Sequence, residues 1–208
     1  MRAPTSSTVV INEQVYSRDG RRRRRETNQF RVIEAAVELI KEGTPVPTAG
    51  EVAERANVSE RSIFRYFADV DALLHAAADS EIDAALSSEL SVPSPPAPST
   101  ERLSVFVDSR VSLYLALEAI IRSIRVRMAH APVAAGPWEK VADRLRAQSE
   151  ELVSHEVPPS DTTHDGQVAD LVEVLSSCDA YFLLASMRGH EEAVATMETG
   201  LATLLQPA

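Results

Sequence analysis

Apolar residues recur at steps of three and four along most of this chain, and two-residue alternation is nearly absent. From Thr27 the pattern is helical: Phe30, Ile33, Val37 and Ile40 share one stripe, and Gly43 supplies a stop. Thr48 with Glu51 three residues on is a capping-box signature and predicts a short helix to about Ala56. Ser59 caps a second short helix, ERSIFRYF, and a longer one is expected from Val70 to about Leu90. The prolines of SVPSPPAPST then forbid a continuous helix. Beyond them, residues 101–130 read as one long helix or two abutting ones, with Leu103, Phe106, Leu113, Leu117, Ile120 and Ile124 as the stripe. Further helices are expected from Trp138 to about His155, from Gln167 to Met187 and from Glu191 to Leu205, with Gly189 as a C-cap before the last. Residues 1–20 keep no period and read as a flexible tail. The pattern is that of an all-α chain of about nine helices without internal repeats.

Charge divides the chain. Residues 1–78 hold 12 basic and 11 acidic residues, whereas the remainder holds 9 and 20. Against a net charge of −10, this asymmetry suggests that one end faces a polyanion. Cys178 is the single cysteine, so neither an intramolecular disulfide nor a cysteine-based zinc site is available. No run of 18 apolar residues and no apolar h-region after the first arginines is present. A cytoplasmic protein that spans no membrane is the expectation. There is no phosphate-binding glycine loop and no G-x-S-x-G, and the five histidines lack metal-ligand spacing. No enzyme, cofactor or metal is therefore expected.

The informative segment is PTAGEVAERANVSERSIFRYFADVDALLHAA, Pro47 to Ala78. Two short helices are joined by a tight turn. Val52, Ala53 and Ala56 on the first can pack on Ile63 and Phe67 of the second, and the helix of Phe30 to Ile40 supplies a third wall. This is a trihelical helix-turn-helix.

With EVAERANVSERSIFRYF followed by an acidic residue and ALL, the segment resembles the TetR/AcrR family of one-component bacterial transcriptional regulators. The residues that match are Val52, Ala53, Val58, Ser59, Ile63, Phe64, Tyr66 and Phe67. The resemblance covers about Arg25 to Ala78. It implies an N-terminal DNA-binding domain over residues 21–78 and, after it, a divergent helical domain over 79–208 that binds an effector and dimerises. Asn57 replaces the usual turn glycine, and Asn tolerates the left-handed region. Phe64 replaces a frequent Tyr, and Val70 replaces a phosphate-binding Lys.

The resemblance places the second short helix in the major groove. Ser59 would cap it and aim its first amides at phosphate. Arg61 is the candidate for a bidentate guanine contact, and Ser62 for a base edge or thymine methyl. Arg65, one turn on, reaches DNA as well. Thr48 and Tyr66 would hold phosphates. Phe64 and Phe67 are expected to pack rather than contact, and Glu60 either accepts from a cytosine amine or points to solvent. Arg21, Arg22, Arg23, Arg24 and Arg25 precede the first helix as a basic arm that can follow phosphates or enter a minor groove. The arm would make up for the phosphate-binding groups that Phe64 and Val70 do not supply.

Arg110 falls in the middle of the apolar stripe that includes Leu103, Phe106, Leu117 and Met128. A buried guanidinium needs a partner. That partner is either an anionic effector or a carboxylate on a neighbouring helix. Arg125 flanks the same stripe. Tyr114, Trp138, Cys178, Tyr181 and Phe182 are candidates for an apolar pocket wall. DAYFLLASM is apolar nearly all round, and the last helix carries Val194, Met197, Leu201 and Leu204. These last two helices either complete a four-helix bundle with a second copy or fill the chain's own core. Together with the resemblance, which implies the function, the favoured reading is a homodimeric repressor that binds a palindromic operator and is released by a small-molecule effector. Two alternatives are a helix-turn-helix that contacts protein and an enzyme acting in the C-terminal cavity.

Overall fold

The computed structural model describes residues 7–87, 90, 92–129, 136–158 and 162–206. Its elements are α1 (Ser7–Lys41), α2 (Ala49–Arg55), α3 (Glu60–Tyr66), α4 (Val70–Ala85), α5 (Ser99–Ala116), α6 (Glu118–Met128), α7 (Gly136–Glu156), α8 (Thr162–Leu175), α9 (Cys178–Arg188) and α10 (His190–Leu204). No strand occurs among the described residues, and the fold is all-α as the periodicity predicts. The long apolar stretch after the prolines resolves into two helices that meet at Leu117. No described helix is long and apolar enough to cross a membrane. The chain divides into two compact units, Met1–Ala77 and Ala78–Ala208, and the division falls within α4.

In the first unit, α1 starts at Ser7 rather than near Thr27. Most of the segment expected as a tail is thus helical. The sequence there keeps no hydrophobic period, but Glu13, Gln14 and the arginines are good helix formers. The buried face of α1 also differs from the expected stripe. Val32, Ala35, Ala36, Val37 and Ile40 are buried, whereas Phe30 is 55% exposed. Alanines carry little hydropathic signal but permit close packing of α2, which buries Ala49, Val52 and Ala53. Arg55 of α2 ties back to Glu38 at 3.2 Å and Glu42 at 2.6 Å on α1.

The turn from α2 to α3 is set by backbone bonds. Asn57 sits at φ 52°, in the left-handed region. Its N–H donates to the Glu54 carbonyl at 3.1 Å, and the Val58 N–H donates to the Ala53 carbonyl at 3.0 Å. This Schellman arrangement satisfies carbonyls that the end of α2 leaves open. Ile63 is fully buried and Phe67 nearly so, which fixes the roll of α3. Phe67 then turns extended (φ −127°, ψ 141°) and ends the helix.

The second unit is built around α5, which packs on α7, α9 and α10. Phe106, Val107, Tyr114, Leu152, Val172 and Leu201 are fully buried. Arg110 lies at the centre with 0% exposure. Its Nε donates to Gln148 Oε1 and Nη1 to Ser176 Oγ, both at 2.9 Å. Nη2 donates to Ser149 Oγ at 2.7 Å, to Glu173 Oε2 at 2.9 Å and to the Leu145 carbonyl. The guanidinium also lies 4.5 Å from the Phe106 ring centroid. Of the two partners the sequence allows, the structure contains the internal carboxylate, Glu173 on α8. The Tyr114 hydroxyl donates to the Ser176 carbonyl at 2.8 Å, so α5 grips the end of α8 twice.

That grip marks a second departure from the periodicity. One helix was expected from Gln167 to Met187, but α8 stops at Leu175 and α9 begins at Cys178. The Ser177 hydroxyl accepts from the Ala180 N–H at 3.2 Å and caps α9, while Ser176 is drawn to Arg110. The helix α8 also starts at Thr162, inside the expected loop. As predicted, Gly189 (φ 88°) ends α9. Elsewhere in this unit, Arg102 pairs with Glu156 and joins the start of α5 to the end of α7. Lys140 bridges Asp79 at 2.9 Å and Asp83 at 3.1 Å.

Removing Arg110 leaves a cavity and takes the donor from buried Gln148, Ser149 and Ser176 as well as from half-buried Glu173. Arg110→Ala is expected to destabilise the second unit by about 3–5 kcal/mol. Glu173→Gln keeps an acceptor in place and should cost about 1–3 kcal/mol. Urea denaturation followed by fluorescence reads this unit alone, because Trp138 is the only tryptophan. In the first unit, Asn57→Gly should be neutral or stabilising, and Asn57→Val should cost about 1–2 kcal/mol. Amide exchange across α2 and α3 measures that difference.

Candidate nucleic-acid interface

The residues of α3 separate by face. Ile63 points inward, and Arg61, Phe64 and Arg65 are exposed. Ser59, Arg61, Ser62, Phe64 and Arg65 line a concavity of about 380 Å³. The side chains expected to meet bases therefore share one exposed surface, and Phe64 joins them. Sequence reasoning assigned Phe64 to packing, but it is 50% exposed. A seven-residue helix gives an aromatic too few turns to show a period. The available signal was the pair Ile63 and Phe67, which already fills the inward positions at i and i+4.

Ser59 occupies the N-cap position of α3 but makes no side-chain cap bond. Its hydroxyl instead lies 2.9 Å from Ser62 Oγ. Thr48 forms the complete capping box of α2: its Oγ1 accepts from the Glu51 N–H, and its N–H donates to Glu51 Oε2 at 2.8 Å. These bonds to the carboxylate, backbone first and hydroxyl second, hold Glu51 below its usual range. Thr48 is thus engaged locally while remaining exposed.

Arg65 Nη2 donates to Tyr66 Oη at 2.7 Å, and its guanidinium lies 4.9 Å from the Tyr66 ring centroid. The phenol keeps its own hydrogen as a donor. Among the described residues, no such partner is seen for Arg61. Of the arginine run, Arg23 and Arg25 are exposed, while the side chains of Arg21, Arg22 and Arg24 lie outside the described residues. The run belongs to α1 rather than to an extended arm. Two positions apart on a helix, Arg23 and Arg25 point roughly 200° apart.

The candidates of the second unit fall into three groups. Arg110 and Tyr114 belong to the buried network described above, and burial raises the Tyr114 phenol well above its usual range. Tyr181 lies 6.5 Å from Tyr114 and 5.2 Å from Phe182, ring centre to ring centre. Its hydroxyl is 3.0 Å from His190 Nδ1. Exposed Arg125 pairs with Asp179, and its Nη2 lies 3.5 Å from Cys178 Sγ. Burial, then Asp179, raises the Cys178 thiol despite that arginine, which argues against a reactive thiolate. Trp138 is half-buried at the start of α7. A cavity of about 370 Å³ lies elsewhere, between α7 and α8, lined by Glu150, Val153, Ser154, Val157, Asp165, Gly166 and Ala169. The sequence signal for the polar partners of Arg110 was Gln148 and Ser149, set between Leu145 and Leu152 on one face of α7.

Residues 32–77 match the family model described as bacterial regulatory proteins, tetR family. No curated protein matches the chain. Among solved structures, a transcriptional regulator from Rhodococcus sp. Rha1 aligns with a TM-score of 0.63 at 17% identity, over 86% of this chain and 96% of that one. A TetR transcriptional regulator from Streptomyces coelicolor aligns at 0.53 with 16% identity, over 85% and 98%. Residues 32–77, which hold α2 and α3, are thus similar to bacterial regulatory proteins of the tetR family, and the chain shares its all-α fold with these solved regulators.

Proposed function

We propose that this protein is a homodimeric, effector-responsive transcriptional repressor that reads a palindromic operator with α3 of each copy. The observation that carries the reading is the exposed face of α3, where Arg61, Ser62 and Arg65 line one concave surface over the buried Ile63. Arginine there suits bidentate readout of guanine O6 and N7. Tyr66, whose hydroxyl accepts from Arg65, keeps a hydrogen that it would donate to a phosphate. The basic turns of α1 add phosphate contacts that carry affinity rather than sequence preference.

Apolar exposure in the second unit supports pairing of two copies. Leu171, Val174 and Leu175 of α8 and Leu183 and Met187 of α9 are exposed, Met187 at 67%. A shallow groove along α10, lined by Leu175, Ala195, Thr196, Thr199, Gly200 and Thr203 with Arg188 and Glu192 among them, lies beside Leu175 of that set. Met197 and Leu201 of α10 are buried within their own unit, so the interface proposed here uses α9, the outer face of α10 and the end of α8. Clustered exposed side chains of this size mark interaction surfaces.

For the effector, the reading moves away from an anion held by Arg110, whose donors go to Glu173, Gln148 and the serines. The cavity between α7 and α8 is walled by Val153, Val157 and Ala169, and Glu150 at its edge is paired with Arg146 at 2.8 Å, which favours a largely apolar molecule. Effector binding would shift the operator-competent population by a coupling of about 1–3 kcal/mol.

Fluorescence anisotropy with duplexes selected from a random library tests the DNA reading. Arg61→Ala should weaken binding to the selected site by about 1–3 kcal/mol per half-site and relax preference at one base pair. Replacing the five arginines from Arg21 to Arg25 with alanine should lower the slope of log K against log salt by up to about 0.9 for each phosphate no longer neutralised. A slope unchanged by this replacement would favour a helix-turn-helix that contacts protein. The dimer has its own test: Leu183→Glu combined with Met187→Glu should yield a folded monomer by sedimentation, with weakened operator binding. A variant that still sediments as a dimer would place the interface elsewhere.

A further inference from the structure

We propose that Phe64 is a base-reading residue whose ring contacts the C5-methyl group of a thymine next to the base read by Arg61. The inference rests on the reading of α3 as the DNA-contacting helix and adds a chemical specificity to it. Three apolar side chains lie on α3 and its C-cap, and two of them, Ile63 and Phe67, are buried. Phe64 leaves half its surface exposed. It follows Arg61 by three residues, so the two side chains are neighbours on one helix face. Both line the concavity that Ser59, Ser62 and Arg65 complete.

The phenyl ring has no donor or acceptor, so it can hold neither a phosphate nor a polar base edge. In a major groove the apolar group it can meet is the thymine methyl. Contact removes ring and methyl from water together. Arg61 and Arg65 on either side of the ring supply the positive charge that a duplex requires, which makes nucleic acid a better match than an apolar protein groove. Ser59 and Ser62 are short and bonded to each other, so neither blocks approach of the base edge.

The test uses the full chain and a duplex selected from a randomised library. Each thymine of the selected site is replaced singly by deoxyuridine, which removes the methyl and nothing else. At one thymine per half-site the replacement should weaken wild-type binding about fourfold, the value of one buried methyl. Phe64→Ala should bind the thymine and uridine duplexes equally, and Phe64→Leu should keep part of the preference. Wild-type indifference to uridine at every position would overturn the proposal, as would a Phe64→Ala protein that still prefers thymine. Should Phe64→Ala fail to fold by circular dichroism, Phe64→Leu is compared with wild type on the same duplexes, and an undiminished thymine preference, which would point to Ser62, overturns the proposal. Failure of the underlying reading looks different: the library yields no enriched duplex, and Arg61→Ala changes nothing.

Discussion

A helix of seven residues cannot hold itself together in water, and α3 is such a helix. Its existence and its roll depend on the burial of Ile63 and Phe67 against the first unit's core. The left-handed turn at Asn57 fixes its direction through the two backbone bonds that close α2. Everything outward follows from these anchors. Once Ile63 and Phe67 face in, Arg61, Phe64 and Arg65 must face out, and the concave surface they share is a product of packing rather than of their own interactions. The capping box of Thr48 and Glu51 supports the same arrangement from below by fixing where α2 starts.

The second unit is governed by a charge instead. Arg110 is fully buried, and its cost of desolvation is offset by partners drawn from two other helices: Leu145, Gln148 and Ser149 on α7, then Glu173 and Ser176 at the end of α8. Such a cation orients what surrounds it. It explains why an apolar stretch long enough for one helix breaks at Ser176 and Ser177. It also sets where α9 begins, and α9 carries Leu183 and Met187 on its exposed side. A guanidinium occupied in this way is a poor choice for recruiting a ligand.

The helical class, the trihelical motif and the Thr48 cap were legible because each leaves a local mark: a period, a spacing or a cap residue. What was not legible depended on neighbours distant in sequence. Phe30 fits a stripe by spacing, yet the wall of α1 is completed by Ala35 and Ala36, which hydropathy hardly registers. Phe64 reads as core because it is aromatic, and only the prior claim of Ile63 and Phe67 on the inward positions displaces it. Arg110 announced that it needed a partner, but its partners lie 35 or more residues away on other helices. The helical state of residues ahead of Thr27 leaves no hydrophobic period at all.

Hydrogen–deuterium exchange of the full chain, with and without a library-selected duplex at low salt, tests the central claim most directly. The predicted result is slowed exchange at the amides of residues 58–66 and in the basic turns of α1, with unchanged exchange around Arg110. Protection confined to the second unit, or none across α3 under conditions where the duplex is bound, would contradict it.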